Sequence, residues 1–312
     1  MSHAQSEPAH KLSDSRTPLV STRSNDAQQS IFSVDVEDWF HILDIPGSPP
    51  LSSWDSLPSH VEKNFLHLLE IFGEHEVQVT CFFLGWVAQR FPHLVKRALR
   101  DGHEIASHGY AHRLVYEMGR EAFHEDALRS RRLLEDISGE AVLGYRSAGF
   151  SARPDTPWFL DTLAEAGYVY DSSVFPAKRG HGGISEYRRE PHQSVSSNAK
   201  IIEFPITVTD FLGSPQCFFG GGYLRLFPYR LIRRMSKRVL SEGRPVVFYI
   251  HPREIDPDHP RLPMSAVRRF KSYVNLASTE SKLRRIFRDF PTTTFRDFLY
   301  RNARFLEASH VH

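Results

Sequence analysis

The chain has 312 residues, enough for one large α/β domain or two smaller ones with a substantial buried core. Lys and Arg total 39 against 37 Asp and Glu, and a net charge of +2 argues against nucleic acid as a partner. The two cysteines, Cys81 in an apolar run and Cys217, exclude a disulfide framework and fit a reducing compartment.

No apolar run is long enough to span a bilayer, and the first residues lack the apolar core of a secretory signal, so a cytoplasmic protein is expected. Residues 1–29 are polar, Ser/His/Gln-rich and without periodicity, which predicts a disordered tail. Order begins at Ile31-Phe32-Ser33-Val34-Asp35-Val36-Glu37-Asp38, a buried strand that carries three acids. Burying carboxylates is costly unless they are paired or bind a metal. Strand alternation puts Asp35 and Glu37 on one face, and a strand ending near Glu37 lets Asp38 turn back to the same site.

A helix follows from Ser59, with Val61, Phe65, Leu68, Leu69 and Phe72 at helical spacing. A strand is expected over 77–84 and a helix over 85–99 that stops at Asp101-Gly102. A short strand through Ile105-Ala106 then delivers His108 and His112, four apart and separated by the small residues Gly109 and Ala111. That spacing brings both imidazoles to one point and supplies half of a typical zinc site. Further along, a helix is predicted over 120–137, a strand over 142–150 with Arg146 near its end, a helix over 154–166 and a strand over 168–170. Residues 177–200 read as an irregular loop and 201–206 as a strand. Gly220-Gly221-Gly222-Tyr223 lacks the Lys-Ser/Thr of a phosphate loop, but it permits close backbone approach to a ligand. A basic helix over 228–240 precedes a buried strand, 246–252, that ends on His251; a helix over 280–290 and a short tail segment around 295–305 close the chain. The Arg-rich stretch from Arg225 to Arg304 is read as a solvated helix face, with a surface for an anionic glycan or lipid headgroups as the sharper alternative.

Alternating strands and helices predict a parallel sheet with helical crossovers, either a closed or nearly closed barrel or an open doubly wound sheet. In a parallel barrel the functional groups gather at the strand carboxyl ends, where the acids, both His residues, Arg146 and His251 all fall. Two His and one carboxylate on a divalent ion leave room for water and substrate oxygen, and bound zinc lowers the pKa of its water to about 7. Asp35 is then the expected base, Arg146 its ionic partner, and His251 the acid that protonates a leaving amine. The Gly149-Phe150 turn is expected to offer a backbone N–H to the developing oxyanion. Together these groups describe hydrolysis of an amide or ester.

The acidic strand, Ser107-His108-Gly109-Tyr110-Ala111-His112, Gly144-Tyr145-Arg146 and Tyr249-Ile250-His251 resemble the successive motifs of the NodB-homology polysaccharide deacetylases. More narrowly, Val34 to His41, Leu84-Gly85-Trp86, Asp171-Ser172-Ser173, Gly220-Gly221-Gly222-Tyr223 and Tyr273-Val274-Asn275-Leu276 are similar to the branch found with bacterial exopolysaccharide and exosortase gene clusters. The resemblance implies a distorted (β/α) barrel over 30–260 and a DUF3473-type helical extension packed on it over 261–312. It also implies metal-dependent removal of N-acetyl groups from a hexosamine-containing glycan. Zinc is the expected cation from the His pair, and the missing secretory signal favours a cytoplasmic, lipid-linked precursor, with peripheral membrane contact a further expectation. By the same resemblance His108 and His112 are ligands, Asp35 the base, Arg146 its partner and His251 the acid. Relatives carry two adjacent Asp residues, whereas Val36 follows Asp35 here, so the third ligand is Glu37 or Asp38, with Asp38 preferred because Asp is the usual ligand type. Ala148 stands where relatives commonly carry Pro. Phe150, Tyr223 and Asp171 are assigned to the substrate side, Asp171 either orienting His251 or capping a turn. A small-molecule C–N hydrolase and a catalytically silent glycan-binding homologue are the alternatives.

Overall fold

The structure is a computed structural model that describes residues 29–43, 45–179, 182–195 and 200–308. The tail expected over 1–29 falls, but for Gln29, outside the described residues. The central strand is β1 (Ser30–Val36), buried along its whole length, as a parallel strand covered on both faces must be. It pairs in parallel with β2 (Thr80–Phe83), which continues the sheet to β3 (Glu104–Ser107), β4 (Gly144–Tyr145) and β5 (Tyr170–Asp171). Beyond them β6 (His192–Val195) and β7 (Lys200–Glu203) form an antiparallel pair, β7 lying parallel to β5. A hairpin of β8 (Thr209–Phe211) and β9 (Ser214–Gln216) stands apart, while β10 (Val246–Ile250) and β11 (Thr292–Thr293) both pair with β1.

The curled sheet is a distorted half-barrel. Its two flanks approach each other where Thr207 Oγ1 accepts the Val247 N–H at 2.8 Å and where Gly220 bridges Tyr249. The outer face is covered by helices that include α1 (Val61–Glu74), with Val61, Phe65, Leu68, Leu69 and Phe72 buried at helical spacing. Then come α2 (Gly85–Arg90), α3 (Pro92–Arg100), α4 (Val115–Met118), α5 (Arg120–Ser138) and α6 (Phe159–Glu165). The C-terminal half adds α7 (Gly221–Leu226), α8 (Tyr229–Ser241), α9 (Ala266–Tyr273), α10 (Thr279–Asp289) and α11 (Phe295–Ala308).

The differences from expectation have local causes. The helix expected over 85–99 is two helices, because Pro92 cannot donate the hydrogen bond that would carry the first turn into the second. The helix expected from residue 154 starts only at Phe159: Pro157 disfavours helical backbone at the residue before it. The strand expected over 142–150 shrinks to Gly144–Tyr145, since Gly149 and Phe150 take positive φ values of 63° and 54° and turn the chain. Part of the loop expected over 177–200 is β6, which pairs with β7.

The segment read as a short tail is α11, and its first turn plugs the bottom of the barrel. Phe295 lies among Phe82, Tyr170 and Phe204, and its N–H reaches Thr80 Oγ1 at 2.9 Å. The Arg296 N–H donates to the buried carboxyl of Glu104 at 3.0 Å, an acid set against a helix N-terminus. Tyr170 donates to the other Glu104 oxygen at 2.8 Å, so its ring is fixed across the barrel.

Gly144 touches that ring: a Cβ there would lie 2.0 Å from Tyr170 Cζ. Gly144→Ala is therefore expected to destabilise the protein by about 1–3 kcal/mol through overpacking. A denaturant midpoint unchanged from wild type would contradict this packing.

Candidate active site

At the carboxyl end of β1 the chain turns tightly, the Glu37 N–H donating to Asp35 O at 3.0 Å. Asp35 is buried with Arg146, whose Nη1 donates to its Oδ1 at 2.7 Å and to Ser33 Oγ at 2.8 Å. The remaining guanidinium donors reach Ser172, Nε to the carbonyl at 3.1 Å and Nη2 to Oγ at 3.2 Å, and the guanidinium lies 4.2 Å from the Phe82 ring centroid. A fully buried cation is tolerable only with its charge paired and its N–H groups bonded, as here.

Strand β3 delivers the His pair. The His108 N–H donates to Phe83 O at 2.8 Å, continuing the strand ladder by one residue. Gly109 follows at φ +72°, where a Cβ would lie 3.0 Å from Asp126 Oδ2, so only glycine makes this turn without strain. His108 Nδ1 donates to the Arg146 carbonyl at 2.8 Å, which fixes the tautomer and turns Nε2, with its lone pair, into the site. Burial lowers the pKa of this ring to about 4, so it is neutral at pH 7.

His112 Nε2 lies 2.8 Å from Glu37 Oε2. Burial alone would raise the pKa of Glu37, but His112, His251 and His108 more than offset it and hold the carboxyl well below the usual range. Oε2 forms no hydrogen bond of good geometry, as expected of two ligand atoms facing a common point. One ligand atom each from Glu37, His108 and His112 lies within 4.8 Å of the others, a grouping that could hold a metal ion.

The preference for Asp38 as third ligand is corrected by this geometry. Asp38 faces away and caps two helical turns: Oδ1 accepts the Trp39 N–H at 2.8 Å and the His60 N–H at 3.1 Å, while Oδ2 accepts from Ser59 Oγ and the Val61 N–H. An acid at the start of α1 is stabilised by exactly those free N–H groups, leaving no lone pair directed at the His pair.

His251, at the end of β10, comes in from the other side, its Nε2 lying 3.4 Å from Glu37 Oε1 and 3.8 Å from Asp35 Oδ2. Burial would lower its pKa, but Glu37 and Glu254 raise it above the ordinary value. Glu254, not singled out from the sequence, takes both the backbone N–H and Nδ1 of His251 on Oε2, each at 3.1 Å. The proposed orienting role of Asp171 is thereby corrected. Asp171 is fully buried and accepts from Ser173 N–H at 2.9 Å and Ser173 Oγ at 2.6 Å, and Ser173 Oγ accepts the Ser147 N–H at 2.7 Å. It is a turn cap that secures the arginine turn, and its charge raises the pKa of the buried carboxyl of Glu203.

Phe150 is also corrected as an oxyanion donor: its N–H is bonded to Ser147 O at 3.1 Å, and its ring packs on Tyr249 with centroids 4.9 Å apart. Tyr223 is half-buried in α7, and two residues before it a Cβ at Gly221 would lie 3.7 Å from His251 Cε1, so the backbone there runs close to the site. His41 was not anticipated. It sits among Phe40, Trp54 and Trp86, with its ring centroid 5.8 Å from that of His112. Its Nδ1 accepts the Asp38 N–H at 3.0 Å, and its buried Nε2 has no hydrogen-bond partner among the described residues.

Two family models match the chain in succession, one described as polysaccharide deacetylase over residues 50–170 and one as a domain of unknown function, DUF3473, over 172–300. The chain carries a polysaccharide deacetylase domain. The first match contains His108, His112 and Arg146, the second contains Tyr223, His251 and Glu254, and the acids of β1 precede both. Among curated relatives, the Bacillus cereus peptidoglycan-N-acetylglucosamine deacetylase is 30% identical over 74 residues, 24% of this chain and 27% of the relative. The Helicobacter pylori peptidoglycan deacetylase is 28% identical over 34% of this chain and 36% of its own length. The Sinorhizobium fredii chitooligosaccharide deacetylase is 30% identical over 32% and 46%. The matches thus span less than half the length of these relatives. Solved structures agree in fold: a Mycobacterium smegmatis protein assigned as a polysaccharide deacetylase (19% identity, 91% of each chain, TM-score 0.60) and Puue allantoinase (18% identity, 99% and 100%, TM-score 0.60). Among the described residues no helix is long and apolar enough to cross a membrane.

The Asp171–Glu203 pair gives a pH signature. Burial pushes the Asp171 carboxyl up to about 6 and Glu203 well above its usual range, with Asp171 adding to the rise at Glu203. A folded-state pKa above the unfolded one means that the folded protein holds a proton that the unfolded chain releases. The stabilisation is therefore full below about pH 4 and lost as pH rises through about 6. Asp171→Asn should lower stability at pH 4 because its amide keeps only one of the two oxygens that accept from Ser173, but its deficit against wild type should shrink by on the order of 1–3 kcal/mol between pH 4 and pH 7. A deficit that stays constant across that range in denaturant titrations would contradict the assignment.

Proposed function

We propose that the protein is a metal-dependent hydrolase that removes N-acetyl groups from a hexosamine-containing glycan, and that exopolysaccharide biosynthesis is its setting. The observation that carries this reading is the meeting of Glu37, His108 and His112 with an Arg146-held Asp35 on one side and His251 on the other. The donor set suits zinc: two imidazoles and one carboxylate, with His108 already locked in the tautomer that presents Nε2. When bound there, a divalent cation supplies a Lewis acid for the amide carbonyl and lowers the pKa of a water.

The chain's own residues divide the remaining work. Arg146 holds Asp35 by Oδ1, leaving Oδ2 to take the proton of the attacking water. His251 Nε2–H, steadied from behind by Glu254, gives a proton to the amine as the C–N bond breaks. No backbone donor for the oxyanion is assigned to Phe150, whose N–H is already bonded within its own turn. An N-acetylated glycan as substrate is supported by the relatives, whose names refer to peptidoglycan N-acetylglucosamine and chitooligosaccharides.

The test is acetate release from N-acetylglucosamine oligomers by zinc-loaded protein. Wild type should release acetate, Asp35→Asn should be slower by at least about 100-fold, and His108→Ala should be inactive. Equal release by the variants, or none by wild type on any N-acetylhexosamine oligomer, would overturn the reading.

A further inference from the structure

His251 is held by a chain of buried groups that extends well beyond its neighbour. Glu254 is 0% exposed, and while Oε2 receives both N–H groups of His251, Oε1 accepts from Arg225 Nε at 2.8 Å. Burial would raise the Glu254 pKa, yet the Arg225 charge and the His251 contact bring it down to about 2. An ionised carboxylate only accepts, so the proton between it and His251 sits on Nδ1 and Nε2 faces the site.

Arg225 lies in α7 and is itself 1% exposed. Its Nη1 donates to Ser272 O at 2.8 Å and Val274 O at 3.3 Å, and its Nη2 to Lys271 O at 3.0 Å. These are the carbonyls left free where α9 ends, and a cation there meets the negative end of the helix. The backbone around Arg225 is fixed in turn by Lys282 of α10, whose Nζ donates to the carbonyls of Leu224, Arg225 and Phe227 at 3.0, 2.7 and 3.0 Å. Asn275 Nδ2 also donates to Arg225 O at 3.2 Å. All of these residues fall in the stretch matched only as a domain of unknown function.

We infer that Arg225 is a positioning residue for the hydrolytic reaction: through Glu254 it sets the ring orientation and tautomer of His251, and through the 271–274 carbonyls it makes that setting depend on the C-terminal helices. The unexplained C-terminal region then has a definite task, the support of one imidazole. The inference rests on the reading of His251 as proton donor, and a purely structural ion pair is the competing account.

The experiment compares wild type, Arg225→Met, Arg225→Lys and Glu254→Gln as full chains, with two readouts. In zinc-loaded protein acting on N-acetylglucosamine oligomers, Arg225→Met and Glu254→Gln should lose about 10- to 100-fold in kcat with KM within about twofold of wild type. Arg225→Lys, which keeps the charge, should recover most of that loss. In metal-free protein at a pH above the His251 pKa, nitrogen-15 NMR of labelled histidine should show the neutral His251 ring as a single Nδ1–H tautomer in wild type, the form that takes up its working proton on Nε2, and as a mixture in Arg225→Met and Glu254→Gln. If Arg225→Met does not fold because Glu254 is left unpaired, the double variant Arg225→Met/Glu254→Gln removes both charges and is read the same way. An unchanged tautomer, or a loss of folded protein with kcat per folded molecule intact, overturns the inference and leaves only the structural role. If wild type has no turnover, the hydrolase reading fails and the tautomer readout alone decides about Arg225.

Discussion

The buried ion pair between Arg146 and Asp35 is the constraint on which the site depends. Arg146 has no exposed surface, and its donors tie the end of β1 to the loop after β5 through Asp35, Ser33 and Ser172. Removing one partner of such a pair costs about 3–5 kcal/mol because the other charge is left buried alone. The same residue fixes one imidazole of the His pair, because its carbonyl receives His108 Nδ1–H. Position of the base and orientation of a ligand-forming imidazole are thus set by opposite ends of one amino acid.

The barrel is layered by chemistry along its axis. At the bottom, Thr80, Glu104 and Tyr170 bond to one another and to the first turn of α11. A waist of Phe82, Tyr170, Phe204 and Phe295 separates this layer from the acids and imidazoles at the strand carboxyl ends. The aromatic waist keeps water away from the lower face of the Arg146–Asp35 pair, which strengthens their attraction and makes every unpaired polar atom above it costly. Glu37 and His41 carry such atoms, consistent with a site built to receive something from outside the chain.

What the sequence disclosed followed from how local its physics is. The alternation of buried strand and amphipathic helix is a short-range pattern, and it placed β1, β10, α1, α5 and α8 within a residue or two. The acids, His108, His112, Arg146 and His251 could be placed at strand ends because strand ends are local too. Which carboxylate turns inward is not a local property. Asp38 is drawn away by the N-terminus of α1, more than twenty positions along the chain, and that competition left no trace near the acids. The two readings of Asp171 stayed open, and Glu254 went unnoticed, for the same reason: only the fold shows that Asp171 meets Ser173 while Glu254 reaches His251. A His followed three residues later by Glu was the one signal that could have revealed the latter, as a capping pattern at a strand end. Helix α11 looked like a tail because its anchor, Phe295, fills a barrel made by distant strands.

The central claim is that Glu37, His108 and His112 converge on one cation, and calorimetric titration of metal-stripped protein with zinc tests it most directly. The account predicts one ion per chain, with affinity lowered at least about tenfold by Glu37→Gln and left near wild type by Asp38→Asn. No binding, or affinity lost with Asp38 rather than with Glu37, would contradict it.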